Sequence, residues 1–303
     1  MADQERRRVV TVGSFDGVHR GHQAILSFLL ERATARGASP VLVTFDPHPR
    51  EVVSGKALPI LTTPQERAIL VAEYGVEETI VLPFDLAMAQ MSAEDFVEQI
   101  LVARINAHCV VIGYDHGFGA GRRGNRSLLQ ALGPVMGFDV DVIPAQRFQD
   151  GVVSSTRIRS ALMDEGDASL AANLLGRPYR WAGLVVEGDK RGRTIGYPTA
   201  NLKPIAGRKV IPKTGVYAVT VRLPDGTSGR GMMNIGTRPT FDGTAVRQEV
   251  HLFDFEGELY GDVLTVEFRE RLRDERRFDG VQSLIKQLKE DEARCRSLLE
   301  GLP

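Results

Sequence analysis

Short runs of β-branched and aliphatic residues alternate with stretches of helical spacing through the first 143 residues, which restricts this part of the chain to a parallel sheet with crossover helices. Apolar runs at 9–12, 41–45, 79–82, 109–112 and 140–143 predict five strands. Helical spacing predicts helices over 23–35, 65–74, 93–105 and 127–137, and Ser92 with Asp95 has the form of a helix cap. The first half is therefore expected to be a doubly wound α/β domain. In such sheets ligands gather at the carboxyl ends of the strands, where GSFDGVHRGH (13–22), PHPR (47–50) and GYDHGFG (113–119) all fall.

The pattern changes after a short helix expected at 168–175. From Arg180 onward, alternating strands separated by Gly and Pro turns are expected at 180–186, 215–221, 229–235, 246–253 and 263–268, followed by an amphipathic helix over 280–299. Such spacing suits a small antiparallel β-barrel with a C-terminal helix. A chain of 303 residues is long enough for two ordinary domains, and the reading divides it into 1–175 and 176–303. Thirty-eight Lys plus Arg against 39 Asp plus Glu leave a net charge of −1, so there is no global electrostatic reason to expect a nucleic-acid partner. Arg6, Arg7 and Arg8 precede an apolar run that ends at Gly13, so neither a signal-peptide core nor a membrane span is expected there. Cys109 and Cys295 are far apart and lack metal-ligand spacing, which suits a reducing cytoplasm.

Within GSFDGVHRGH, His19 and His22 stand where a helix begins. A helix start presents unpaired N–H groups and partial positive charge, and the glycine between the histidines lets an anion such as a nucleotide phosphate approach the backbone. Gly13 permits a tight turn out of the strand. Gly119, Gly121 and Gly124 match G-x-G-x-x-G, but they do not open the first βα unit, and Arg122 and Arg123 occupy the interior of the motif. Ser154, Ser155, Thr156 and Arg157 lie in VSSTRIRSAL, where hydroxyls cap a helix and Arg157 with Arg159 offers charge to a pyrophosphate or triphosphate.

The second half carries GDKRGRTIGYPTAN (188–201). Its spacing excludes a Walker loop, yet Gly188 and Gly192 with Lys190, Arg191 and Arg193 can form a basic lid over phosphates. Thr199 and Asn201 offer hard oxygen ligands suited to Mg2+. Glu249, in the alternating VRQEVHLFDF, can act as a general base if it faces the barrel mouth.

These motifs carry a resemblance. GSFDGVHRGH and VSSTRIRS resemble the paired signatures of the Rossmann-like nucleotidylyltransferases, and PTAN, GVYAV (215–219), NIGTRPTF (234–241) and EVHLFDF resemble riboflavin kinase. Together and in this order they resemble the bacterial bifunctional riboflavin kinase/FMN adenylyltransferases, over nearly the whole chain. The resemblance implies that Gly13, Phe15, Asp16, His19, His22, Asn125, Ser155, Thr156 and Arg157 hold one ATP, with His19 and His22 stabilising the reacting phosphates. It implies that Gly188, Lys190, Gly192, Arg193, Thr199 and Asn201 hold a second ATP, with Thr199 and Asn201 on Mg2+ and Glu249 as base. His251 and Trp181 are read as structural. Riboflavin, FMN, FAD and ATP are the implied small-molecule ligands, and the oligomeric state stays open. His116 stands where the family usually has an aromatic residue, which keeps one alternative alive: a riboflavin kinase whose adenylyltransferase half is degenerate.

Overall fold

Each of the five apolar runs in the first half becomes a strand. They are β1 (Arg8–Val12), β2 (Ser39–Asp46), β3 (Glu78–Pro83), β4 (Ala107–Ile112) and β5 (Asp139–Val142), all parallel, in the order β3-β2-β1-β4-β5. The computed structural model describes residues 7–113, 117–143, 151–188, 191–240 and 243–302, so His116 and Lys190 lie outside the described residues. The chain divides into two compact units, Met1–Ser155 and Thr156–Pro303.

Helices α1 (Arg20–Arg36), α2 (Pro49–Ser54), α3 (Pro64–Glu73), α4 (Leu86–Gln90), α5 (Ala93–Asp95) and α6 (Arg126–Met136) follow the strands, and α5 continues in wider π-type turns over Phe96–Arg104. The cap read at Ser92 is present, with its hydroxyl accepting from the Asp95 N–H at 2.9 Å. Strand side chains alternate between two buried faces. Val9, Leu42 and Cys109 pack with Leu26 and Leu29 of α1 and Val71 of α3, whereas Val10, Val43 and Ile112 pack with Phe96, Leu101 and Leu129. The strand order reverses between β1 and β4, and that reversal opens a crevice at their carboxyl ends.

The second unit begins within α7 (Ser155–Ser160) and includes α8 (Ala168–Leu175), which packs on strands of a closed antiparallel barrel. Its strands are β6 (Tyr179–Val186), β7 (Ala200–Pro204), β8 (Gly215–Arg222), β9 (Ser228–Thr240), β10 (Gly243–Leu252) and β11 (Val263–Arg273), closed in the order β10-β7-β6-β11-β8-β9. A final helix, α9 (Val281–Leu298), packs on β8 and β9. Strand β7 was not among the expected strands. Its Pro-Thr-x-Asn approach has the chemistry of a turn, but pairing with β6 on one side and β10 on the other draws 200–204 into the barrel. Trp181 is buried in the barrel wall.

Both cysteines are free thiols with no exposed surface. Burial pushes each up to about 12 from an ordinary value of 9.0, and Asp141 beside Cys109 and Asp291 beside Cys295 act in the same direction. A thiol whose folded pKa is raised stabilises the fold while it stays protonated. That contribution is complete below pH 9.0 and is lost as the pH rises through about 12. At pH 8 the native chain should therefore resist a thiol-specific reagent and yield both thiols only in denaturant. Rapid native reaction of either thiol would contradict the burial.

Candidate functional sites

The loop that leaves β1 is held in a conformation its residues would not choose alone. Phe15, Gly17 and Val18 have φ of 46°, 86° and 40°, and for the two with side chains the left-handed region costs roughly 1–2 kcal/mol each. Asp16 explains how the turn survives. Its carboxylate is fully buried and accepts the Leu61 N–H at 2.9 Å, the Thr62 N–H at 3.0 Å and the Thr62 hydroxyl at 3.3 Å. Thr62 Oγ1 in turn accepts the Gly17 N–H at 3.0 Å. The Asp16 side chain thus points into the protein and anchors the loop.

Beyond the turn, His19 caps α1, and its Nδ1 accepts the His22 N–H at 3.3 Å. That bond leaves Nε2 as the position that carries the proton in the neutral ring. The two imidazoles stack with centroids 3.6 Å apart and an interplanar angle of 13°, and Phe15 stacks on His22 at 4.5 Å. His19 is buried and His22 half-buried, so a preorganised pair of rings stands at the start of a 17-residue helix. Gly13 continues the strand ladder by donating to the Val43 carbonyl at 3.0 Å. From the second signature, the Ser155 hydroxyl donates to the Asp16 carbonyl at 2.9 Å, which joins the two motifs within the first unit. Thr156 and Arg157 follow in α7, beyond the division between the units.

A cleft of about 530 Å³ opens beside Gly13 and Ser14. Its wall is aromatic and apolar, with Phe45, Phe84, Met88, Phe96 and Phe118, and its rim carries Arg50 and Arg122. The rings support one another: Phe45 meets Phe84 edge-on at 5.3 Å, and Phe96 lies 5.8 Å from Phe118. Phe118 falls within GYDHGFG, one of the segments expected at the strand ends, whereas Phe45, Phe84 and Phe96 belong to no motif read from the sequence. The glycine-rich loop is folded back on itself through paired backbone bonds between Phe118 and Gly124 at 3.0 and 2.9 Å. Asn125 lies just past it and caps α6, accepting the Leu128 N–H at 3.1 Å. It is not among the residues that line the cleft.

The barrel builds its site from strand register. Glu249 on β10 lies directly opposite Asn201 on β7 and Asn234 on β9, so three polar residues form a row across adjacent strands. Period-two alternation buries Gln248 and Val250 and leaves Glu249 and His251 half-buried on the other face. A cavity of about 340 Å³ is lined by Thr199, Asn234, Glu249, His251 and Arg273, with Leu284 and Leu288 of α9 opposite. A second hollow of about 90 Å³ is lined by Arg193, Thr199, Glu258 and Tyr260, and Thr199 belongs to both. His251, read as structural, both lines the larger cavity and fixes its approach, since its Nδ1 donates to the Pro198 carbonyl at 2.7 Å. Arg247 sits 3.8 Å from the Glu249 carboxylate.

Glycine is required at two points in the segment before β7. A Cβ on Gly188 would come within 2.0 Å of the Asn201 amide nitrogen, and one on Gly192 within 2.0 Å of the Tyr197 carbonyl oxygen. Gly192 lines the larger cavity and Arg193 the smaller. Among the described residues no three His, Cys, Asp or Glu side chains gather as a metal cluster. The available donors are the hydroxyl of Thr199, which borders both hollows, and the carboxylate of Glu249, which borders the larger; Asn201 lies opposite Glu249 in the sheet but is not among the residues that line either hollow. These hard oxygens fit a cation that takes only one or two protein ligands and completes its shell with phosphates and water.

Residues 1–157 match the family model described as FAD synthetase, and residues 175–299 match that described as riboflavin kinase. Proteins named bifunctional riboflavin kinase/FMN adenylyltransferase are similar over nearly the full length. The Pseudomonas fluorescens protein is 41% identical over 296 residues, covering 97% of this chain and 94% of that one. The Escherichia coli K12 protein is 41% identical over 291 residues, covering 95% and 91%. A crystal structure from Streptococcus pneumoniae, described as a macrolide-efflux protein, superposes with a TM-score of 0.88 at 35% identity and covers 96% of this chain and 94% of that one. No helix among the described residues is long and apolar enough to cross a membrane.

If the Asp16 carboxylate anchors the loop, Asp16→Asn should destabilise the first unit by about 1.5–3 kcal/mol, the range for hydrogen bonds to a charged group. Chemical denaturation measures this. A change within about 0.5 kcal/mol, as for an ordinary surface substitution, would contradict it.

Proposed function

The chain belongs to the bifunctional riboflavin kinase/FMN adenylyltransferase family, and from this we infer how its two units divide the work. The enzyme phosphorylates riboflavin with ATP to give FMN and ADP, then adenylylates FMN with a second ATP to give FAD and pyrophosphate. The relatives that bear both activities in their names span both units, so the kinase-only alternative is set aside. We assign adenylyl transfer to 1–175, phosphoryl transfer to 176–303, and a cytoplasmic setting to the whole.

Phosphoryl transfer is assigned to the barrel. The observation that carries this is Thr199, which borders both hollows while Glu249 borders the larger. ATP is placed in the smaller hollow beside Arg193, and the ribityl hydroxyl of riboflavin in the larger, so that its oxygen meets the γ-phosphorus near Thr199. Glu249 accepts the hydroxyl proton as the O–P bond forms and ADP departs. Leu284 and Leu288 offer an apolar wall to the flavin ring. Thr199 and Asn201 would hold Mg2+, which when bound neutralises charge on the transferring phosphoryl group. The pinning of Asn201 against Gly188 supports a fixed donor geometry. Lys190, outside the described residues, belongs with Gly188, Gly192 and Arg193 to the phosphate lid in this reading.

Adenylyl transfer is assigned to the His19–His22 loop. An FMN phosphate oxygen attacks the α-phosphorus of ATP and pyrophosphate leaves, a step that needs no protein nucleophile. His19 and His22 donate to the reacting phosphates, and the start of α1 receives negative charge. Gly13 and Phe15 belong to the bed on which ATP rests, with Asp16 as its anchor. Ser155, which bonds to the Asp16 carbonyl, serves the departing pyrophosphate, and Asn125 borders the nucleotide. The aromatic cleft beside Ser14, rimmed by Arg50 and Arg122, suits the flavin ring and phosphate of FMN.

Glu249→Gln should lower riboflavin phosphorylation by about 10²–10⁴-fold, the usual worth of a general base, and leave conversion of added FMN to FAD unchanged. Wild-type FMN formation would remove the base assignment. Chelating divalent cations with EDTA should stop riboflavin phosphorylation, with activity restored by added Mg2+. Phosphorylation that persists in excess EDTA would exclude the metal assignment.

A further inference from the structure

A buried arginine lies beneath the His19–His22 loop. Arg67, in the first turn of α3, is 2% exposed. Its Nη1 donates to Thr44 Oγ1 at 2.5 Å and to the Phe45 carbonyl at 3.3 Å. Thr44, itself fully buried, donates its hydroxyl to the Ser14 carbonyl at 3.0 Å. Arg67 therefore reaches the loop through one intervening side chain.

The same segment grips the loop at a second point. Leu61 and Thr62, just before α3, bind the Asp16 carboxylate, and Thr62 also receives the Gly17 N–H. Thr63 and Glu66 close a reciprocal cap on α3, with bonds of 2.9 and 3.1 Å, which fixes the helix start that carries Arg67. Residues 61–67 thus hold both ends of the stretch from Ser14 to Gly17. Burial draws the Arg67 pKa down, and the Asp16 and Asp46 carboxylates oppose that fall. A guanidinium placed out of water is an expensive way to fill a core, and an apolar side chain of similar volume would do so at less cost. Here a single nitrogen, Nη1, spans the Thr44 hydroxyl and the neighbouring Phe45 carbonyl.

We propose that Arg67 is a positioning residue for adenylyl transfer, holding Ser14–Gly17 through Thr44 so that His19 and His22 meet the phosphates in register. This rests on the assignment of adenylyl transfer to that loop. Arg67 touches no substrate in this account. Its contribution is to kcat, because a displaced loop misaligns the reacting groups after ATP and FMN have bound.

The test uses the full-length enzyme and measures both reactions on the same preparations. Arg67→Met should lower kcat for FMN adenylylation by about tenfold to a hundredfold, the range for a misplacement of up to 1 Å. KM for FMN should change less than about threefold, and riboflavin phosphorylation should be unaffected. Arg67→Lys should recover part of the loss, since an ammonium can still reach the Thr44 hydroxyl. A purely structural arginine would lower the melting temperature and leave kcat untouched at temperatures where the protein is folded. A folded Arg67→Met enzyme with kcat within twofold of wild type, or with only KM raised, would overturn the proposal. Should the Met variant fail to fold, Thr44→Val decides the matter, because it removes the relay hydroxyl at constant shape and must lower kcat in the same direction. His22→Ala, expected to cost about 10²–10³-fold, separates the two levels. Full adenylylation in His22→Ala would remove the site and the proposal with it, whereas loss in His22→Ala beside normal Arg67 and Thr44 variants would overturn the positioning claim alone.

Discussion

The buried carboxylate of Asp16 is the interaction on which the conformation of the loop after β1 depends. A loop that must put Phe15 and Val18 in left-handed backbone conformations persists only where its surroundings over-determine it. Two backbone N–H groups and a hydroxyl converge on one ionised group away from solvent, where charge-assisted bonds are strong. The stacked rings of Phe15, His22 and His19 follow directly from that anchored turn. So does the attachment of Ser155, which bonds to the carbonyl of the same residue. One aspartate thereby couples the sheet, the helix start and the second signature.

The barrel meets a comparable demand by other means. Its polar groups project from strands whose register is set by the closed sheet, so Asn201, Glu249 and Asn234 need no strained backbone to stand side by side. Strain is replaced by close approach: Gly188 and Gly192 allow the segment before β7 to press against Asn201 and Tyr197. In the proposed assignment both units handle ATP, yet they act on it at different phosphorus atoms and with different supports. A helix start with paired imidazoles suits charge distributed along a polyphosphate. A carboxylate beside hard oxygen donors suits removal of a proton during γ-phosphoryl transfer.

Much of this architecture was legible in the sequence because it rests on local periodicity. The five parallel strands, α8, α9 and the Ser92 cap all follow from alternation, helical spacing or cap chemistry. The His19–His22 pair could be placed at a helix start for the same reason. What escaped depends on contacts between distant residues. Strand β7 exists because two neighbours recruit it, against the turn chemistry of Pro198 and Asn201. The inward direction of Asp16 depends on the amides of Leu61 and Thr62, 45 and 46 residues away. The aromatic cleft draws Phe45, Phe84, Phe96 and Phe118 from separate elements, and no spacing rule links them. Arg67 reads as one more charge on an amphipathic helix until Thr44 is found beside it.

The central claim is that one chain carries two complete and chemically distinct ATP-dependent sites used in succession. It is tested most directly by incubating the enzyme with riboflavin, ATP and Mg2+ and separating the flavins over time. The account predicts that FMN rises first and then yields to FAD, with one ADP released per FMN made and one pyrophosphate per FAD. Accumulation of FMN without FAD would contradict it.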